Sequence, residues 1–154
     1  MFSAPDRRLL QYSTYAEASA FSRQHSGKGI TQQGFAIFKK IAEVDAAMSP
    51  DLQSRVFEVH PEVCFRAAAG RYLDNSKRRS LGFEERRAIL QQVLLGTNVP
   101  NRSDALKHRG TAPDDVLDAC IAAWTAMRHA QGRSSGLPEV PEIDGRGLRM
   151  EIVY

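Results

Sequence analysis

The stretch PDDVLDACIAAW, residues 113–124, decides the expected architecture because it combines a buried helix face with three acids. The proline and the regular apolar spacing predict an α-helix over about residues 113–131. At about 100° per residue, Asp114, Asp115 and Asp118 fall within one narrow arc of that helix. The opposite, core-facing arc consists of Val116, Leu117, Cys120, Ile121, Ala123, Trp124 and Met127.

The three aspartates have two interpretations. Acids in a first helical turn favour the positive end of the helix dipole, which explains Asp114 and Asp115 as residues of a helix start. This explains Asp118 less well, since aspartate is a mediocre residue deeper in a helix. Like charges at these spacings repel one another, and a divalent cation would turn that repulsion into binding. The pattern therefore leaves both a helix start and a metal site open.

Composition bounds the class of protein. The chain has 154 residues, 42% hydrophobic and 25% charged, which suits one globular domain over residues 1–154 with a real core. No run approaches the length of a membrane span, and the N-terminus lacks the apolar core of a signal peptide. We therefore expect a cytoplasmic protein with no membrane contact. The net charge of +3 is compatible with a nucleic-acid partner without implying one.

Two segments predict β-strands. Residues 55–59, RVFEV, are short, rich in β-formers and followed by Pro61, so we expect a central strand. Glu58 near its C-terminal end is either a site residue, since sites of open α/β sheets form there, or an exposed or salt-bridged acid on a partly solvated face. Residues 148–153, LRMEIV, predict a C-terminal strand after a linker rich in Gly, Ser and Pro. Two strands are few for this length, so either a partner completes the sheet or part of it is missing.

Helices fill most of the remainder. The pattern predicts helices over residues 15–25, 32–48, 61–69 and 83–95, the last with its EERR charges facing outward. A basic run, Lys77, Arg78 and Arg79, either contacts phosphates or is a solvated loop. His60 and Glu62 flank Pro61 and could assist a metal or a proton transfer, although Glu62 also fits a helix start.

Several segments, in the same order, resemble a family of predicted ribonuclease-H-like nucleases catalogued as a domain of unknown function. The resemblance covers nearly the whole chain, residues 2–154. The matching segments are FSAP, SGKGITQQ, FEVHPEVCF, SKRRSLGFEERRAIL, PDDVLDACIAAWTA and DGRGLRMEIVY.

The resemblance implies a ribonuclease-H-like α/β fold in which acids bind two divalent ions, Mg²⁺ or Mn²⁺, for phosphodiester hydrolysis of nucleic acid. Glu58 matches the acidic residue of the family's central strand. Asp115 and Asp118 match the DxxD of its final helix, and Asp114 is an accessory carboxylate. By this analogy Glu58, Asp115 and Asp118 are catalytic, and all four acids are metal ligands.

The chain departs from the family pattern at its start. Family members usually have strands upstream of FSAP, the first of which carries the leading aspartate of the site. We therefore expect an N-terminally truncated version of the fold whose activity is doubtful. The alternative is a non-catalytic fragment that binds nucleic acid or another protein. An exposed sheet edge in such a fragment would favour self-association.

Overall fold

A computed structural model of the chain describes residues 5–107 and 110–154. Most of the FSAP segment, residues 2–5, thus lies outside the described residues. The described part is helix-rich α/β, with seven α-helices and one two-stranded antiparallel sheet. Its contacts group the chain into two compact units, Met1–Ser49 and Pro50–Tyr154. The single ribonuclease-H-like domain over residues 1–154 stays a prediction.

The first unit contains three helices, α1 (Tyr15–Ser26), α2 (Gln32–Ala36) and α3 (Phe38–Ala47). Thr14 caps α1 by accepting the Glu17 amide, and Gly27 ends it in the left-handed conformation at φ 72°. A small core includes residues of a 3-10 turn, Arg7–Gln11, that precedes α1. It consists of the buried Leu9, Ala18 and Phe38, with Leu10, Tyr12, Phe21, Ile30, Phe35 and Ile41 packed against them.

The prediction of one continuous helix over residues 32–48 is wrong. The helix breaks at Ile37, whose φ of −100° and ψ of 0° fall outside the α-helical region. The Ile37 amide bonds the carbonyls of Gly34 and Phe35 and thereby tightens the end of α2. The apolar spacing stays helical through this break, which is why the sequence did not signal it.

The second unit contains four helices around one core. They are α4 (Pro61–Ala69), α5 (Ser80–Val93), α6 (Arg102–Ala105) and α7 (Pro113–Ala130). The helix α7 packs against both α4 and α5. The core consists of Cys64, Phe65, Phe83, Ile89, Leu90, Val99, Ala105, Leu117 and Ile121. Within the described part of the chain, no helix combines the length and the apolar character needed to cross a membrane.

The sheet joins β1 (Gly136–Ile143) to β2 (Arg149–Val153). The C-terminal strand predicted over residues 148–153 is confirmed, whereas β1 lies where the sequence predicts a linker. The pairing begins at Gly136 with Val153 and shifts register between Leu137 and Glu142. Pro138 and Pro141 lie in this irregular part of β1, which is why the segment has the composition of a linker.

The predicted central strand over residues 55–59 is wrong. The backbone amides of Arg55 and Val56 both donate to the carbonyl of Leu52, which precedes the segment, and so continue a 3-10 turn. The segment contacts the sheet only at its end, where Val59 forms a single parallel bridge to Val153 and the Glu58 carbonyl accepts the Val153 amide. High β-propensity therefore produces an extended segment here and no strand, because the ladder partners that a central strand requires are absent from the described residues.

Candidate functional site

A lysine joins two of the predicted metal ligands. Lys77 lies in the loop between α4 and α5, and its Nζ donates to Asp118 Oδ2 at 2.6 Å. The same Nζ lies 3.4 Å from Asp114 Oδ2. Asp114 and Asp118 are one helical turn apart on α7, so both carboxylates face this ammonium group. We call Lys77, Asp114 and Asp118 the α7 ion cluster.

One oxygen of the α7 ion cluster has no partner. Asp118 Oδ1 is buried and receives no hydrogen bond from the described residues, although the side chain as a whole is 18% exposed. Burial raises the pKa of Asp118 above its ordinary value, and the charges of Glu62 and Asp114 act in the same direction. Lys77 opposes this shift. The cluster thus contains a partly desolvated carboxylate with one free acceptor atom.

A second ion pair lies beside the cluster. Arg86, on α5, is only 3% exposed and holds Glu62 of α4 with two hydrogen bonds, Nε to Oε1 at 2.9 Å and Nη2 to Oε2 at 2.5 Å. Its Nη1 donates to the carbonyls of Asn75 and Gly82. Two parallel bonds make this the strong, orienting type of arginine–carboxylate pair.

Hydrogen bonds and close packing connect the loop that carries Lys77 to the first turns of α5. The carboxylate of Glu85 accepts the backbone amides of Asp74 at 3.1 Å and Asn75 at 3.0 Å. Gly82 allows the close approach, because a Cβ at this position would lie 2.0 Å from the Ser76 carbonyl oxygen. These contacts fix the loop backbone next to Lys77 and so help to set the position of its ammonium group.

Asp115 has a different environment from its neighbours. Its Oδ2 accepts the backbone amide of Ala112 at 2.9 Å, which is the acidic half of a capping box at the start of α7. This is the helix-start role that the sequence left open. The structure therefore brings Asp114 and Asp118 together around Lys77, and it engages Asp115 with the backbone.

Glu58 lies in the extended segment before α4, and its side chain is exposed. Its carbonyl accepts the Val153 amide at 2.8 Å, so the backbone, and not the carboxylate, has the defined contact. Within residues 5–107 and 110–154, no three His, Cys, Asp or Glu side chains are grouped in a way that could hold a metal ion.

The basic run divides into two parts. Lys77 is engaged by the two aspartates, and together they raise its pKa even though burial acts to lower it. Arg78 and Arg79 are exposed, and their side chains form no ion pair with the described residues. Two exposed cations that form no ion pair within the described part of the chain thus follow Lys77 directly in the sequence.

The prediction that all the EERR charges of residues 84–87 face outward is wrong for Arg86, which is buried. A signal was available, because Arg86 lies three residues after Phe83 and three before Ile89, both of which are buried. That spacing puts it on the core-facing stripe of α5. Glu85 was missed as well, because its partners depend on how the loop folds back.

A family model matches residues 1–143 of the chain, and its description is "Protein of unknown function (DUF429)". Searches of curated proteins and of solved structures gave no significant match.

Proposed function

We propose that this chain, which belongs to the DUF429 family, is a cytoplasmic, metal-dependent phosphodiesterase of the ribonuclease-H-like class that acts on nucleic acid. The single observation that carries the proposal is the buried Asp118 Oδ1, which has no hydrogen-bond partner in the described part of the chain and lies near the charges of Asp114 and Glu62. A carboxylate oxygen that is shielded from solvent and receives no hydrogen bond from the described residues is suited to bind a cation.

The donor chemistry fits Mg²⁺ or Mn²⁺. Both ions prefer carboxylate and water oxygens, and Mg²⁺ is commonly held by one or two carboxylates together with waters and substrate phosphates. Asp118 and Asp114 would be those two carboxylates. Bound there, the ion would act as a Lewis acid on the phosphodiester and lower the pKa of an attacking water.

The remaining roles belong to side chains around the carboxylates. Lys77 pairs with both Asp114 and Asp118 in the free protein and offsets one of their two negative charges. Its Nζ is the group that competes with a metal ion for them. Arg78 and Arg79 supply exposed positive charge for substrate phosphates. Arg86 keeps Glu62 bound at two oxygens, so Glu62 affects Asp118 through its charge.

The other predicted ligands, Glu58 and Asp115, stay predictions, as does the ribonuclease-H-like fold itself. The support for them is the similarity of the quoted sequence segments to the family pattern. Asp115 uses Oδ2 in the helix cap.

Calorimetric titration with Mn²⁺ tests the proposal, with the wild-type chain, Asp118→Asn and a control, Glu142→Gln. Glu142 is an exposed acid on β1, and Glu142→Gln removes one negative charge, as Asp118→Asn does. We expect saturable binding to the wild type and to the control, and none to Asp118→Asn. We also expect Mn²⁺-dependent cleavage of labelled oligonucleotides to follow the same order. Absence of binding to the wild type would reject the hydrolase proposal.

A non-catalytic binding module is the second candidate, and one observation favours it. Glu62, Asp114 and Asp118 each contact a protein cation, and Lys77 and Arg86 together offset two of their three negative charges without a metal. In that case Lys77 and Arg86 have purely structural roles, and Arg78 and Arg79 would contact nucleic acid or an acidic protein. Oligonucleotide binding without Mn²⁺ binding or cleavage would identify this candidate.

We also keep self-association through the sheet as a proposal. The strand β1 exposes Leu137, Val140 and Ile143, of which Val140 is 83% exposed. Pro138 and Pro141 remove two backbone donors from this edge, so side chains would supply most of such a contact. Sedimentation of the wild type and of Val140→Lys tests it, since a dimer formed here should dissociate in the variant.

A further inference from the structure

A solvent-exposed aromatic ring lies in the same loop as Lys77. Tyr72 is 72% exposed, although it is a large side chain in a segment whose next residue, Leu73, packs against the core. The Arg66 guanidinium covers the ring with its carbon 4.0 Å from the ring centroid. Arg66 forms no ion pair with the described residues, so its charge remains available at this surface.

The geometry points to a partner with planar rings and negative charge. An arginine that stacks on tyrosine fixes the orientation of the ring at a small cost in conformational freedom. The high exposure of Tyr72 leaves much of its ring surface open to solvent. Nucleobases stack on such rings, while arginine side chains contact the adjoining phosphates.

The ring is connected to the α7 ion cluster by two elements. Arg66 lies one helical turn after Glu62 on α4, so the two side chains share a face of that helix. Glu62 in turn lies close enough to Asp118 to raise its pKa. Along the loop, Tyr72 is five residues before Lys77, which limits their Cα separation to roughly 18 Å.

We propose that Tyr72 and Arg66 form a stacking platform for a base of single-stranded nucleic acid, with Arg78 and Arg79 contacting its phosphates. The inference rests on the proposed nuclease function and specifies its substrate as a single strand. In a duplex the bases are already stacked on each other, so their faces are not available to Tyr72. A single strand offers each base to the ring without the energetic cost of unpairing.

Fluorescence anisotropy in EDTA tests the platform with a labelled single strand of about ten nucleotides and with its duplex. We expect Tyr72→Ala and Tyr72→Leu to weaken single-strand binding by about tenfold, and Tyr72→Phe to preserve it. Leu95→Ala is the matched control, because Leu95 is 85% exposed and lies away from this loop in sequence. It should bind as the wild type does.

The outcomes separate this inference from the proposed function. Single-strand binding that is the same in Tyr72→Ala and the wild type overturns the platform, as does a failure of the wild type to bind any strand. An equal loss of duplex and single-strand binding in Tyr72→Ala also overturns it. Because EDTA removes divalent ions, these results are independent of Mn²⁺ binding, whose failure alone rejects the hydrolase.

Discussion

Two carboxylate–cation pairs lie side by side in the second unit, and they differ in how many of their polar atoms have hydrogen-bond partners. In the Glu62–Arg86 pair, both carboxylate oxygens and all three guanidinium nitrogens have hydrogen-bond partners. In the Asp118–Lys77 pair, one carboxylate oxygen is buried without a hydrogen-bond partner among the described residues. The first pair is complete as a structural connection. The second retains a buried acceptor atom that is open to a further ligand, which is why the proposed function is placed there.

Removal of the arginine from the complete pair should have the largest effect. Arg86→Ala removes the side-chain donor of Glu62 and of the Asn75 carbonyl, while the Gly82 carbonyl keeps only its α-helical hydrogen bond. We expect a loss of about 3 kcal/mol in the free energy of unfolding, at the lower end for a broken buried pair because the Glu62 side chain is 38% exposed. Urea denaturation measures it.

The control for this variant is Lys107→Ala, whose pair with Asp104 is exposed, with the lysine side chain 75% accessible. It should change the unfolding free energy by less than about 0.5 kcal/mol. Equal effects in the two variants would show that the difference between buried and exposed pairs has been misjudged.

A methyl group at Gly82 should disturb the loop that carries Lys77. In Gly82→Ala the new Cβ would meet the Ser76 carbonyl, and we expect a cost of about 1–3 kcal/mol, reduced by the better helix propensity of alanine. Gly145→Ala is the control, since no atom lies within 4 Å of its added Cβ. Thermal unfolding compares the two, and a stabilised Gly82→Ala would contradict the close contact.

Glu85 should make the loop acid-sensitive. Burial alone would raise its pKa, but hydrogen bonds from Asp74, Asn75 and Arg71 lower it to about 2 from the ordinary 4.5. A lowered folded-state pKa stabilises the protein above pH 4.5, and this contribution disappears as the pH falls toward 2.

The test of this pH dependence is denaturation at several pH values. Glu85→Gln should be less stable than the wild type at pH 7, and the difference should shrink below pH 4.5. Asp118 acts in the opposite sense, because its raised pKa makes the folded protein less stable as the pH rises above 3.8. A Glu85→Gln deficit that is constant from pH 7 to pH 3 would contradict the assigned pKa.

The smallest effect is expected at the helix cap. Asp115→Ala removes the acceptor of the Ala112 amide and should cost about 1 kcal/mol. Glu139→Ala, at an exposed position on β1, should be nearly neutral. A Mn²⁺ titration of Asp115→Ala adds a second result, because loss of binding there would make Asp115 a ligand in addition to a cap.

Local patterns anticipated much of the helical structure. The predicted helix over residues 113–131 is confirmed as Pro113–Ala130, and Asp114 and Asp118 do share one face, as their common partner Lys77 shows. The helix after Pro61, ended by Gly70, was also predictable from its proline and glycine. The family of unknown function is confirmed by the match over residues 1–143, while its nuclease activity stays a prediction.

The errors arise where tertiary contacts decide the structure. Residues 55–59 have strand-forming side chains, yet a strand needs neighbours, and the Arg55 and Val56 amides already bond Leu52. The strand β1 contains prolines that conceal its pairing. Lys77 and Asp118 are 41 positions apart, and no local pattern connects them. The sequence therefore indicates the acids as candidate site residues, but it does not indicate which cation contacts them.

Mn²⁺ titration of Lys77→Met, beside the wild type and Lys107→Met, tests the central claim most directly. Methionine keeps much of the lysine stem and removes the ammonium that competes for Asp118 Oδ2 and Asp114 Oδ2. The account predicts tighter Mn²⁺ binding in Lys77→Met than in the wild type, with Lys107→Met unchanged. No Mn²⁺ binding to Lys77→Met would contradict it, and the Asp118–Lys77 pair would then be structural, like the Glu62–Arg86 pair beside it.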